Sequence, residues 1–136
     1  VKLVLDTNVL IAAFLTRGVC HDLLEHCQRE HQLITSAFIL AEFEEKLHSK
    51  FKLPKDSIQQ ATALLRDYMQ VVTPSPLPSP VCRDTDDDWV LGTALAGNCH
   101  CVITGDKDLL QVQQYQNVTI LSPSLFWAYE AKQLKD

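Results

Sequence analysis

Four short apolar runs constrain this chain more than any other feature: residues 2–5, 32–35, 101–104 and 118–121. Each has the length of a strand, and a run such as Leu3-Val4-Leu5 has the continuous apolarity of a strand buried on both faces. The intervals between them carry helical signals. Val9 to Leu15 reads as a short helix, and residues 20–31 as a second with Leu23, Leu24 and Cys27 on one side. Ser36 is an N-cap candidate for a third, with Phe38, Ile39, Leu40, Phe43 and Leu47 as its apolar positions. Pro54 to Met69 gives a fourth, with Ile58, Ala61, Leu64, Leu65 and Tyr68 as its stripe. Val71-Val72 reads as a brief strand. Helices also follow Asp84–Asp88, Gly105 and Ser122-Pro123. Strands that alternate with helices predict an α/β fold, a three-layer α/β/α arrangement around a mainly parallel sheet of four to five strands. Ligand sites in such sheets lie at the carboxyl ends of the strands.

The chain has 136 residues, which fits one domain spanning 1–136. Residues 73–80, Thr-Pro-Ser-Pro-Leu-Pro-Ser-Pro, must be extended. Too little chain follows for a second domain, so the segment is read as a surface crossing within one domain. Apolar residues at 46% against 21% charged exclude disorder as the default state. No apolar run approaches the roughly 20 residues of a membrane span, and no signal peptide opens the chain. The expected location is therefore the cytoplasm. The formal net charge of -5 argues against a protein that coats nucleic acid without cutting it. It argues less against a nuclease, whose carboxylate site is itself acidic. The cysteines, Cys20, Cys27, Cys82, Cys99 and Cys101, are odd in number and read as reduced thiols. Neither Cys99-His100-Cys101 nor Cys27 with His31 has a second ligand pair at zinc spacing, so packing is their expected role.

Two acids stand where the sheet rule points. Asp6 directly follows the first strand, and Asp106 follows the third run in Thr104-Gly105-Asp106-Lys107-Asp108. Glu42 and the group Asp84, Asp86, Asp87 and Asp88 lie on or before helices. Each has an ordinary structural reading. Asp6 would cap a helix. Glu42 would pair with Lys46 on a solvated face. The acidic run would complement a helix dipole, and Asp106 and Asp108 would sit in a turn. If they converge, several carboxylates share one pocket, and like charges at that distance cannot all ionise alone. A hard divalent cation resolves the conflict, and oxygen ligands suit Mg²⁺ or Mn²⁺. Such a site supports in-line attack of a metal-bound hydroxide on phosphorus.

These residues resemble those of the PIN-domain family over nearly the whole chain, and most closely the bacterial toxins of type II toxin–antitoxin pairs. Val4-Leu5-Asp6-Thr7-Asn8-Val9-Leu10 is similar to the family's opening strand and first acid. Ala41-Glu42 resembles the second acid. Arg83 to Leu91, with its acids from Asp84 to Asp88, resembles the third. Val102 to Leu109, with Asp106, resembles the fourth. The family places an alanine seven residues after its third acid, which Asp87 and Ala94 satisfy. Counting back from the last strand favours Asp88 instead. Helix phase ranks Asp87 first, with Asp88 assisting. Trp89 and the Pro-rich connector depart from the family pattern.

The resemblance implies a ribonuclease acting on single-stranded RNA, with Mg²⁺ or Mn²⁺ held by Asp6, Glu42, Asp87 and Asp106. Asn8 and Thr104 would support that shell, and Asp108 would join through water. It also implies a homodimer and a small antitoxin that blocks the site. The alternative is a non-catalytic PIN-like module that holds RNA or a protein. A haloacid-dehalogenase-type phosphatase needs a second Asp two residues after the first, and position 8 is Asn. Lys46, Lys50, Lys52, Lys55 and Arg17 are candidates for guiding a nucleic-acid backbone, with a solvated surface as the simpler role.

Overall fold

A computed structural model describes residues 1–135, and side chains through residue 133. Its strands are β1 (Lys2–Leu5), β2 (Gln32–Ser36), β3 (Met69–Val72), β4 (Cys101–Ile103), β5 (Gln114–Tyr115) and β6 (Val118–Leu121). Its helices are α1 (Thr7–Leu15), α2 (Val19–Glu30), α3 (Ala37–Ser49), α4 (Lys55–Tyr68), α5 (Thr85–Ala96), α6 (Lys107–Leu110) and α7 (Pro123–Lys135). The strands form one sheet in the order β3-β2-β1-β4-β6-β5. All neighbours pair in parallel except β5 with β6. The sheet thus has six strands rather than the expected four to five. The addition is β5, a two-residue antiparallel edge whose Gln-Tyr sequence carries no apolar pattern.

β1 lies between β2 and β4, so both its edges are paired, and Leu3, Val4 and Leu5 are buried. The chain moves from β1 outward through β2 to β3, then returns to the other side of β1 at β4. Right-handed crossovers put α1 to α4 on one face and α5 and α6 on the other. The packing agrees: α1 rests on α2 and α3, α3 on α4, and α5 on β1, β2 and β4. α7 returns to the first face against α2. The strand order reverses between β1 and β4, which opens a crevice at their carboxyl ends.

Ser36 caps α3 as expected, accepting from the Ile39 N–H at 3.3 Å. The buried stripe of α4 is rotated from the expected one. Ile58, Thr62 and Leu65 are buried, whereas Leu64 and Tyr68 are 44% and 36% exposed. α4 lies at the margin of its layer, against α3 and the edge strand β3 alone of its larger contacts, so a narrower stripe suffices. The helix α5 ends through Asn98 at φ 54°, with Gly97 in the bridge region at φ -88° and ψ 0°.

The connector from residue 73 to residue 84 forms no helix or strand, yet it is fastened. The Ser75 N–H donates to the Gly92 carbonyl at 3.0 Å. The Val81 and Cys82 N–H groups donate to the Asp88 carboxylate at 3.2 and 2.8 Å. The segment is therefore a strap held to α5 at two points. Among the described residues no helix is long and apolar enough to cross a membrane.

Candidate active site

The β1–β4 crevice is built around one threonine. Asp6 leaves β1 with its backbone N–H donating to the Ile103 carbonyl at 2.9 Å, which extends the strand pairing by one residue. Its Oδ1 accepts from the Thr7 N–H at 2.7 Å and so caps α1. Its Oδ2 accepts from the Thr104 hydroxyl, also at 2.7 Å. That hydroxyl in turn accepts from the Asp106 N–H at 3.0 Å. Thr104 thus ties the first and last acids across the crevice. Asp106 caps α6, its Oδ1 accepting from the N–H groups of Asp108 (2.8 Å) and Leu109 (3.4 Å). Both aspartates cap helices and also line the crevice.

Asp87 comes from the opposite layer. It sits in the first turn of α5 and is 7% exposed. Burial, then the charges of Asp106, Asp6, Asp84 and Asp108, push its carboxyl up to about 7. Its Oδ2 is buried without a hydrogen-bond partner. Asp6 is raised as well, by burial first and then by Asp106. Hydrogen bonds from Thr104 and Thr7, and the charge of Lys46, offset part of that rise.

Glu42 reaches the site from α3, where its Oε1 accepts from the Thr7 hydroxyl at 2.5 Å. Lys46, one turn further along, does not pair with Glu42. Its Nζ donates to Asn8 Oδ1 at 3.3 Å. Asn8 therefore stands beside the site as a partner of Lys46. Thr7 and Lys46 are the members that sequence reasoning left out of the site. The hydroxyl next to the first acid was the available signal for Thr7.

Asp88 does not join the group, contrary to the expectation that it would assist. Both its oxygens accept from the strap, at Val81 and Cys82. Asp108 lies near enough to raise Asp87 by its charge and donates its own N–H to Asp106.

The cluster is short of positive charge, and its donors are oxygens. An unpartnered buried carboxylate oxygen between other acids fits a hard divalent cation. As the side chains stand, no three of these carboxylates bring oxygens within 4.8 Å of one another among the described residues. Asp6, Glu42, Asp87 and Asp106 would hold such an ion directly or through bridging water.

The one group with three ligand-type atoms that close is elsewhere among the described residues: His26, His31 and Glu130. Both Nε2 atoms lie 2.5 Å from Glu130 Oε2. The Val1 nitrogen, an N–H donor, lies 3.0 Å from His31 Nδ1. His31 then accepts at Nδ1 and carries its proton at Nε2, where it donates to Glu130. Burial opposes ionisation of Glu130, but the hydrogen bonds from His26 and His31 hold it below the ordinary carboxylate range. The triad reads as a tie between α2 and α7. Burial raises the thiols of Cys27, Cys99 and Cys101 to about 12, consistent with packing roles.

Several solved structures share this fold. VapBC-1 from nontypeable Haemophilus influenzae matches with a TM-score of 0.65 and 18% identity, over 91% of this chain and 99% of that one. VapBC2 from Rickettsia felis, bound to a DNA fragment from its promoter, matches at 0.62 and 14%, over 88% and 97%. FitAcB from Neisseria gonorrhoeae matches at 0.55 and 16%, over 90% and 98%. No curated protein matches. The sequence profile described as PIN domain matches residues 2–108, from β1 through the last acids of the crevice. The chain belongs to the PIN-domain family.

Proposed function

We propose that this chain is a nuclease that hydrolyses phosphodiester bonds of single-stranded RNA with Mg²⁺ or Mn²⁺. The observation that carries the reading is the buried, unpartnered Oδ2 of Asp87, facing the charges of Asp6 and Asp106. Asp6, Glu42, Asp87 and Asp106 would hold the ion, directly or through water. When bound, the ion neutralises these acids and activates water for in-line attack on phosphorus. The chain's own part is to position the acids. Thr104 orients Asp6, Thr7 orients Glu42, and Lys46 holds Asn8 at the rim. Family membership and the fold shared with VapBC and FitAB assemblies support the further reading of a cytoplasmic single-domain toxin, 1–136. Such a toxin would form a homodimer and be silenced by a small antitoxin.

The test is cleavage of a labelled single-stranded RNA with Mn²⁺, comparing the protein with Asp6→Asn. Asparagine caps a helix as well as aspartate does, so the variant keeps its fold by circular dichroism and loses cleavage. Equal cleavage by both would sink the proposal. The spread of the carboxylates favours a second reading, a non-catalytic module that holds RNA or protein. Calorimetry discriminates, because that reading expects no Mn²⁺ binding at millimolar concentration.

A further inference from the structure

The strap and Trp89 form a second feature on α5, next to the carboxylates. Between its fastenings at Gly92 and at Asp88, the strap bows away from the helix. It leaves a cleft of about 290 Å³, lined by Pro76, Pro78, Pro80, Thr85, Asp88 and Trp89 among others. That volume is at the low end for small-molecule sites and suits one heterocycle. Trp89 is 44% exposed at the cleft. Phe38 backs it, with ring centroids 6.0 Å apart and planes inclined by 32°. The indole is therefore held on one side by an aromatic partner while still meeting solvent. The proline rings make the opposite wall stiff.

Charge narrows the occupant. The cleft is lined by no basic side chain, and Asp88 borders it, so a phosphate gains nothing there. A neutral planar base does gain, through stacking on the indole. Trp89 leaves α5 on the side away from Asp87, but Phe38, on which it packs, precedes Glu42 by one turn on the same side of α3, ~6 Å of helix rise. A strand with its phosphate at the carboxylates would carry a nearby base past Trp89.

We propose that this cleft is a nucleobase subsite, in which Trp89 stacks one base of a single-stranded nucleic acid adjacent to the cleaved phosphate. The inference rests on the nuclease reading for the meaning of "adjacent", and it accounts for Trp89 and the Pro-rich strap. Trp89 is a positioning residue, since it touches substrate away from the reacting atoms.

The test uses short single-stranded oligoribonucleotides, intact or with one abasic position moved along the strand. Trp89→Ala should raise KM about tenfold and leave kcat within about twofold, and Trp89→Phe should restore most of the loss. At one position, and no other, the abasic substitution should erase the difference between Trp89→Ala and the unsubstituted protein. Cleavage with the same KM for Trp89→Ala at every position overturns the subsite and leaves the nuclease reading standing. A fall in kcat and melting temperature without a KM change assigns Trp89 a structural role, which also overturns it. Fluorescence separates the two readings in the other direction. With Trp127→Phe, Trp89 is the remaining tryptophan of the two. Its quenching by intact but not fully abasic oligonucleotide supports the subsite even if no cleavage occurs. Absence of both quenching and cleavage overturns both.

Discussion

Replacing Asp87 by asparagine should stabilise the metal-free protein while removing its ion binding. The carboxyl rises from 3.8 to about 7, because burial and neighbouring acids disfavour its charge. A raised acid contributes its full stability below 3.8, where it is protonated in both states. It loses that contribution as pH climbs through about 7. At about 1.4 kcal/mol per tenfold, the ionised form costs at most about 4 kcal/mol. Water entering the open crevice screens part of this, which leaves ~2 kcal/mol for the charge that asparagine removes. For a chain of this size that is a gain of about 6 °C in melting temperature at pH 8. At pH 5 the gain should shrink to less than half, because most of the native aspartate is then protonated. Saturating Mn²⁺ should raise the melting temperature of the unsubstituted protein and not that of Asp87→Asn. Differential scanning calorimetry at pH 5 and pH 8 measures all of this. A variant that folds but is no more stable at pH 8 refutes the reasoning.

Two further outcomes follow from the same geometry. Mn²⁺ binding should release close to one proton at pH 6 and very little at pH 8, since Asp87 must shed its proton to meet the ion; calorimetry in buffers of different ionisation enthalpy reads the number. Gly92→Ala should destabilise by ~2 kcal/mol in chemical denaturation, because a Cβ there would stand 2.3 Å from the Ser75 carbonyl oxygen, whereas Gly105→Ala, with nothing within 4 Å, should be near neutral.

The central strands were legible because burial on both faces leaves a continuous apolar run, as at Leu3-Val4-Leu5 and Cys101-Val102-Ile103. Asp6 and Asp106 were legible because Asp6 directly follows such a run and Asp106 follows one across Gly105. Helix phase ranks Asp87 above Asp88. Residues seven apart share a helix face, and Asp87 and Ala94 do both turn inward. Other features depend on partners far along the chain. Nothing local shows that His31 will meet Glu130, 99 residues away. Nothing local shows that Lys46 will pass over Glu42 for Asn8 on another helix. Its prolines make the strap legible as an extended crossing, but its fastenings need Asp88 and the Gly92 carbonyl on one side of α5.

Asp6 and Asp106 each cap a helix with the same carboxylate that lines the crevice. This dual employment limits how the chain could drift if selection for the proposed cutting were relaxed. A change to alanine or valine would fray α1 or α6, so folding alone continues to filter both positions. Asparagine and serine cap equally well but bring no charge. Descendants that have fallen silent should therefore carry Asn or Ser at these two places far more often than an apolar residue. Glu42 caps nothing, and it should be the acid that such lineages lose first and most freely.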